Sequence, residues 1–199
     1  SGPGITAALQ HGDPDGSVWR PAEADTSIRR GWFYDPAQDG AVRTIDQLVD
    51  LYFQSVGRNS KLLLNVPPTK DGLLHETDVA RLARMHERLR ALFATDVASG
   101  RRIAWRSTGA RTAEAEVDLG RSVTASIVRL EEDITRGQDI ARYAVLGSDG
   151  GEWQPLSKGT TVGYAKIDRF APTAVQRVKV VVEDAVAPPR PIALKLFAG

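Results

Sequence analysis

Lys61-Leu62-Leu63-Leu64-Asn65-Val66, stopped by Pro67-Pro68, decides the fold of the first hundred residues. Such a short apolar run ended by proline reads as a strand buried on both faces, as in a parallel sheet. Each flank carries a helix. Upstream, Thr44-Ile45-Asp46-Gln47 matches a capping box, in which the Thr oxygen and the Gln side chain satisfy free amides at a helix start. Ile45, Leu48, Val49, Tyr52 and Val56 then share one face, and Gly57 is the expected stop. Downstream, Thr69-Lys70-Asp71-Gly72 is a turn and Thr77 the expected cap of a second helix. Val79, Leu82, His86, Leu89 and Phe93 recur there at helical spacing, which makes His86 a core histidine. Helix, buried strand, helix is the grammar of an α/β fold. Further upstream, Ala22-Glu23-Ala24-Asp25-Thr26-Ser27-Ile28 alternates small and polar residues, as a strand with one polar face would. A polar inward face is costly unless something satisfies it, so this strand is the first pointer to a site.

Near residue 100 the rhythm changes. Short strand-like runs follow at 124–130, 141–146, 152–156, 160–170, 177–182 and 192–197, with a turn at Asp149-Gly150-Gly151. Runs at this spacing predict a β-sandwich. The fold class is therefore α/β plus all-β: an α/β part over 1–98, a linker over 99–111 and a sandwich over 112–199. Trp153 is expected in the sandwich core.

Composition excludes several functions. The net charge of +1 provides no field for nucleic acid or an anionic membrane surface. No run of 18 apolar residues exists to form a membrane-spanning helix. With no cysteine, zinc fingers, thiol catalysis and disulfide frameworks are ruled out. His11, His75 and His86 show no metal-ligand spacing, so neither a metal nor another cofactor is expected.

The densest chemistry lies in Trp19-Arg20-Pro21-Ala22-Glu23-Ala24-Asp25-Thr26-Ser27-Ile28-Arg29-Arg30-Gly31-Trp32-Phe33-Tyr34. Aromatic faces stack on the C–H face of a pyranose, while carboxylates and arginines bind hydroxyls in directed pairs. Glu23 and Asp25, two apart on a strand, point to one face. Composition alone leaves two readings open here, a sugar site and a packed cluster of ion pairs.

That run resembles the alpha-L-fucosidases of glycoside hydrolase family twenty-nine. Ser55-Val56-Gly57-Arg58-Asn59-Ser60 with the Leu-Leu-Leu-Asn strand, and Thr69-Lys70-Asp71-Gly72-Leu73, resemble the same family. So do Glu131-Glu132-Asp133-Ile134-Thr135-Arg136-Gly137-Gln138, Gly151-Glu152-Trp153 and Gly159-Thr160-Thr161-Val162-Gly163-Tyr164 in the tail. The resemblance implies the C-terminal part of a (β/α)8 barrel followed by a galactose-binding-like β-sandwich. It implies retaining hydrolysis of terminal alpha-L-fucose from fucosylated glycans, and a secreted or periplasmic protein. Glu23 is then a candidate acid/base or sugar-binding carboxylate, with Trp19, Asp25, Arg29, Trp32, Asn65 and His11 as substrate-binding candidates. The family's nucleophile is an aspartate upstream of the first motif, expected on a missing segment or second chain. Uncovered strand edges make an oligomer a further expectation. The alternative is a fragment whose sandwich only binds carbohydrate or supports the barrel.

Overall fold

The computed structural model describes residues 17–18 and 22–198; 22–94 form one unit, and 95–198, with which 17–18 are grouped, form the other.

The first unit contains two parallel strands and two helices. β1 (Ala22–Ser27) pairs with β2 (Ser60–Asn65) in register, from Ala22 opposite Ser60 to Ser27 opposite Asn65. Asp35 caps a 3-10 turn over Pro36–Ala41, accepting from the Ala37 amide. α1 (Ile45–Ser55) begins with the expected capping box, Thr44 and Gln47 each accepting from the other's backbone amide. It ends with the Gly57 amide on the Tyr52 carbonyl. The left-handed residue beyond it is Asn59, at φ 63°, an amide side chain that tolerates this conformation.

α2 (Glu76–Leu92) departs from expectation at its cap and along its face. His75 is the cap, its Nδ1 accepting from the Thr77 amide, so Thr77 lies inside the first turn. Leu82 and Leu89 pack against the core as expected, but the buried residues are Asp78, Met85 and Leu92, while Val79 and His86 are exposed. Asp78 turns the helix to meet a buried cation, and that rotation carries His86 into solvent.

Leu62 and Leu64 pack against a core of Ile28, Val42, Leu48 and Met85, which sets the helix side of the β1–β2 pair. Alternation puts Leu63 on the other side, where it is 44% exposed. Burial of β2 on both faces therefore fails within this unit: the helices cover one face only.

The second unit is a six-stranded antiparallel sheet in the order β3-β4-β7-β5-β6, with β8 also on β4. Its strands are β3 (Ile103–Ser107), β4 (Ala113–Glu131), β5 (Ile140–Ser148), β6 (Gln154–Gly159), β7 (Lys166–Ala185) and β8 (Ala193–Phe197). β3 lies inside the stretch expected to be linker, paired with Ala113–Val117 of β4. The runs expected at 124–130 and 177–182 are parts of β4 and β7, and residues 160–165 form a turn instead of a strand.

Register shifts let these long strands keep one face in the core. Ala113, Ala115, Val117, Leu119 and Ala125 face inward at odd positions, then Val128 and Leu130 at even ones. The shift between Ala125 and Ile127 accounts for the change, because one extra residue moves the next side chains to the opposite face. Trp153 lies outside this core. It is half-buried beneath Arg177 and Lys179, whose charged groups stand 5.0 and 4.5 Å from the ring centroid.

Two polar groups tie the second unit together. Tyr143 is fully buried and donates to Asp168 Oδ2 at 2.6 Å, and Ser157 donates to the same oxygen at 2.9 Å. Burial beside Asp168 drives the Tyr143 phenol far up, so it stays protonated. Glu132 accepts from the amides of Asp139, Ile140 and Gly163. It thereby joins two of the tail's motif segments. Burial still outweighs those three bonds and raises its pKa.

Candidate functional site

The parallel register assigns Glu23, Asp25 and Ser27 to one face of the strand pair, together with Lys61, Leu63 and Asn65. Leu62 and Leu64 mark the other face as the one against the helices. The predicted polar face therefore exists and points away from the helices. Glu23 and Asp25 are both exposed on it. Glu23 has Lys61 Nζ at 3.8 Å, a solvent-screened pair that leaves the carboxylate accessible.

The C-terminal ends of the two strands hold the following loop. Ser27 and Asn65 sit opposite each other in the last register position. The Asn65 side-chain amide donates to Ser27 Oγ at 3.1 Å and to the Trp32 carbonyl at 3.0 Å. Ser27 Oγ donates to the Gly31 carbonyl at 2.8 Å and accepts from the Arg29 amide at 3.3 Å. Trp32 is 53% exposed and Phe33 86%. Neither aromatic side chain contributes to the core of this unit.

Arg29 takes a different position from the sugar-facing one expected. Its side chain is wholly buried, with Nε 2.9 Å from Asp78 Oδ2 and Nη1 2.8 Å from Asp39 Oδ1. The guanidinium also lies 4.9 Å from the Tyr34 ring centroid, and Tyr34 stacks on His75. A cation so enclosed anchors the loop to α2. Arg29 pulls the Asp39 pKa down, and partial burial beside Asp39 pushes the Tyr34 pKa up.

The structure thus gathers Glu23, Asp25 and Asn65 on one face, with Trp32 on the loop at its C-terminal end, and withdraws Arg29 from it. Trp19 and His11 lie outside the described residues. Ser27, Phe33, Asp39 and Asp78 were missed as participants. Ser27 was legible, being in phase with Glu23 and Asp25, whereas the Asp78–Arg29 pairing spans 49 residues and leaves no local signal. Among the described residues, no three His, Cys, Asp or Glu side chains are placed to hold a metal, and no helix is long and apolar enough to cross a membrane.

Residues 5–91 match the family model described as Alpha-L-fucosidase. Alpha-L-fucosidase 1 of Arabidopsis thaliana is 30% identical over 211 residues, covering 90% of this chain and 41% of its own length. The crystal structure of SpGH29 superposes with a TM-score of 0.87 at 34% identity, covering 96% of this chain and 47% of that one. A Ruminococcus gnavus GH29 fucosidase, solved in complex with fucose, gives 0.80 at 27% identity, over 94% and 42%. The chain spans 39–41% of the length of the curated relatives it matches. These relatives and neighbours are glycoside hydrolases. Within that class, the chain is a member of the alpha-L-fucosidase family, glycoside hydrolase family twenty-nine.

Proposed function

We propose that this chain is the C-terminal part of a retaining alpha-L-fucosidase that hydrolyses terminal alpha-L-fucose from fucosylated glycans. On this reading, the unit at 22–94 contributes the last strands and helices of a (β/α)8 barrel. The unit at 95–198 is the β-sandwich that follows it in the chain. The observation that carries the reading is the shared face of β1 and β2, where Glu23, Asp25 and Asn65 stand away from the helices below an exposed Trp32. In a (β/α)8 barrel the helices lie outside and catalytic groups come from the C-terminal ends of strands. The fit to SpGH29 over 96% of the chain supports the same placement.

Glu23 then serves as acid/base or as a carboxylate accepting sugar hydroxyls, with Asp25 beside it. A retaining mechanism needs a second carboxylate about 5–5.5 Å from the acid/base, as nucleophile. That nucleophile belongs to a segment outside these 199 residues, consistent with a chain that spans 39–41% of its curated relatives.

The test is hydrolysis by the full reading frame. It should release L-fucose from an aryl alpha-L-fucoside, with the first-formed sugar keeping its anomeric configuration by NMR. Glu23→Gln should lower kcat by about 10²–10⁴ on a natural glycan if Glu23 is the acid/base, and less on an aryl fucoside whose leaving group needs no proton. Absence of hydrolysis of every alpha-L-fucoside offered would end the proposal.

A further inference from the structure

The loop carrying Trp32 is held at two successive carbonyls by two strand-terminal side chains. Ser27 Oγ donates to the carbonyl of Gly31, and the Asn65 amide donates to that of Trp32. Each carbonyl belongs to a planar peptide unit, and these two planes flank the Trp32 Cα. Fixing both planes fixes φ and ψ of Trp32, and with them the direction in which the indole leaves the backbone.

The side-chain donors of this pair are used to capacity. The Ser27 hydroxyl has one proton and two lone pairs. The proton goes to Gly31, and the lone pairs accept from Asn65 Nδ2 and the Arg29 amide. Both Asn65 amide protons are spent, one on Ser27 and one on Trp32. Ser27 is 6% exposed, so water cannot easily replace these partners. The Asn65 carbonyl, 3.5 Å from Ser27 Oγ, is a longer second acceptor for the Ser27 proton, so the Gly31 bond at 2.8 Å is the shorter of two.

We infer that Ser27 and Asn65 are positioning residues that pre-set the Trp32 backbone, and with it the direction of its Cα–Cβ bond, at the strand ends, so that Asn65 acts on a sugar through Trp32. The inference rests on the reading of Trp32 as a sugar-facing residue, and it gives Asn65 an orienting role. A backbone already fixed at Trp32 leaves only the side-chain rotamers to be ordered on meeting a ligand, which is how pre-organisation raises affinity.

The experiment is 19F NMR of the 199-residue chain labelled with 5-fluorotryptophan, the Trp32 line assigned by Trp32→Phe. Native protein should show one Trp32 line. Ser27→Ala and Asn65→Asp should each lose that single line to splitting or broadening, and Ser27→Thr, which keeps the hydroxyl, should restore it. Hydrogen exchange of the α1 and α2 amides is recorded on the same variants. A disturbed Trp32 line with helix protection intact supports the inference. An unmoved line, or one disturbed only together with lost helix protection, overturns it. Titration of native chain with L-fucose tests the sugar reading separately, because a silent Trp32 line there leaves the variant results standing.

Discussion

Arg29 Nε donates to Asp78 Oδ2 at 2.9 Å with neither side chain exposed, joining the loop after β1 to the first turn of α2. A buried ion pair is weak evidence for net stability, but losing one partner strands the other charge in low dielectric. Asp78→Ala leaves Arg29 paired only with the partly exposed Asp39 and a buried Nε without its partner, so it should destabilise the 22–94 unit by about 1–3 kcal/mol. Arg29→Met combined with Asp78→Leu should recover much of that loss. Urea unfolding followed by α1 and α2 hydrogen exchange measures both. Equal loss in the single and double variants would show that the pair is not coupled.

Acid should act through Asp39 and Glu132 with opposite sign. Asp39 has its pKa lowered from 3.8, chiefly by Arg29, so the stability it contributes is present above 3.8 and lost as pH falls through the native value. Glu132 has its pKa raised from 4.5 by burial. The native state therefore holds its proton longer than the unfolded state. That contribution is present below 4.5 and is lost as pH rises through the native value. Unfolding midpoints of Asp39→Asn and Glu132→Gln against the native chain, from acid to neutral pH, check the signs. Native stability relative to Asp39→Asn should grow with pH, and relative to Glu132→Gln it should shrink.

Gly159 is fixed by the volume of Tyr143. A Cβ at Gly159 would stand 2.6 Å from the Tyr143 hydroxyl and 2.7 Å from its ring, and Tyr143 is fully buried. Gly159→Ala should cost about 1–3 kcal/mol through overpacking. The double variant Gly159→Ala with Tyr143→Leu should be less destabilised than the two separate losses added together. Gly151, whose Cβ position meets nothing within 4 Å, is the control, and Gly151→Ala should be near neutral. Thermal unfolding of the four chains settles it.

What the sequence disclosed followed the range of the interaction. The capping box, the α1 face and the β1–β2 strands are written in neighbouring residues and were legible. So was the polar face bearing Glu23 and Asp25, because a two-residue period needs no partner to be seen. Ala113-Glu114-Ala115-Glu116-Val117-Asp118-Leu119 also alternates strictly, and could have revealed the first half of β4. Gly120-Arg121-Ser122 after it reads as a turn but is passed through as a distortion inside one strand. The α2 face was read correctly at Leu82 and Leu89 but not at Val79 and His86, because nothing local marks Asp78 as buried. Its burial depends on Arg29, 49 residues away. The same pair removed Arg29 from the sugar-binding candidates, while Asn65 was placed correctly at the strand end with its hydrogen-bond partners unseen.

The three consecutive leucines of β2 offer a direct test of which way the polar face points. Leu62 and Leu64 pack toward Ile28, Val42, Leu48 and Met85, whereas Leu63 shares the face of Asp25, its register partner. Leu64→Ala should cost the 22–94 unit about 2 kcal/mol, the low end for a core truncation because the side chain is only partly buried. Leu63→Ala, at 44% exposure, should change stability by no more than about 0.5 kcal/mol. A strand shifted by one residue would reverse the two results, since the side-chain period is two. It would also turn Lys61 and Asn65 toward the helices and break the alignment of Asn65 with Ser27. Urea midpoints of the two variants therefore decide whether Glu23, Asp25 and Asn65 can face one ligand at all.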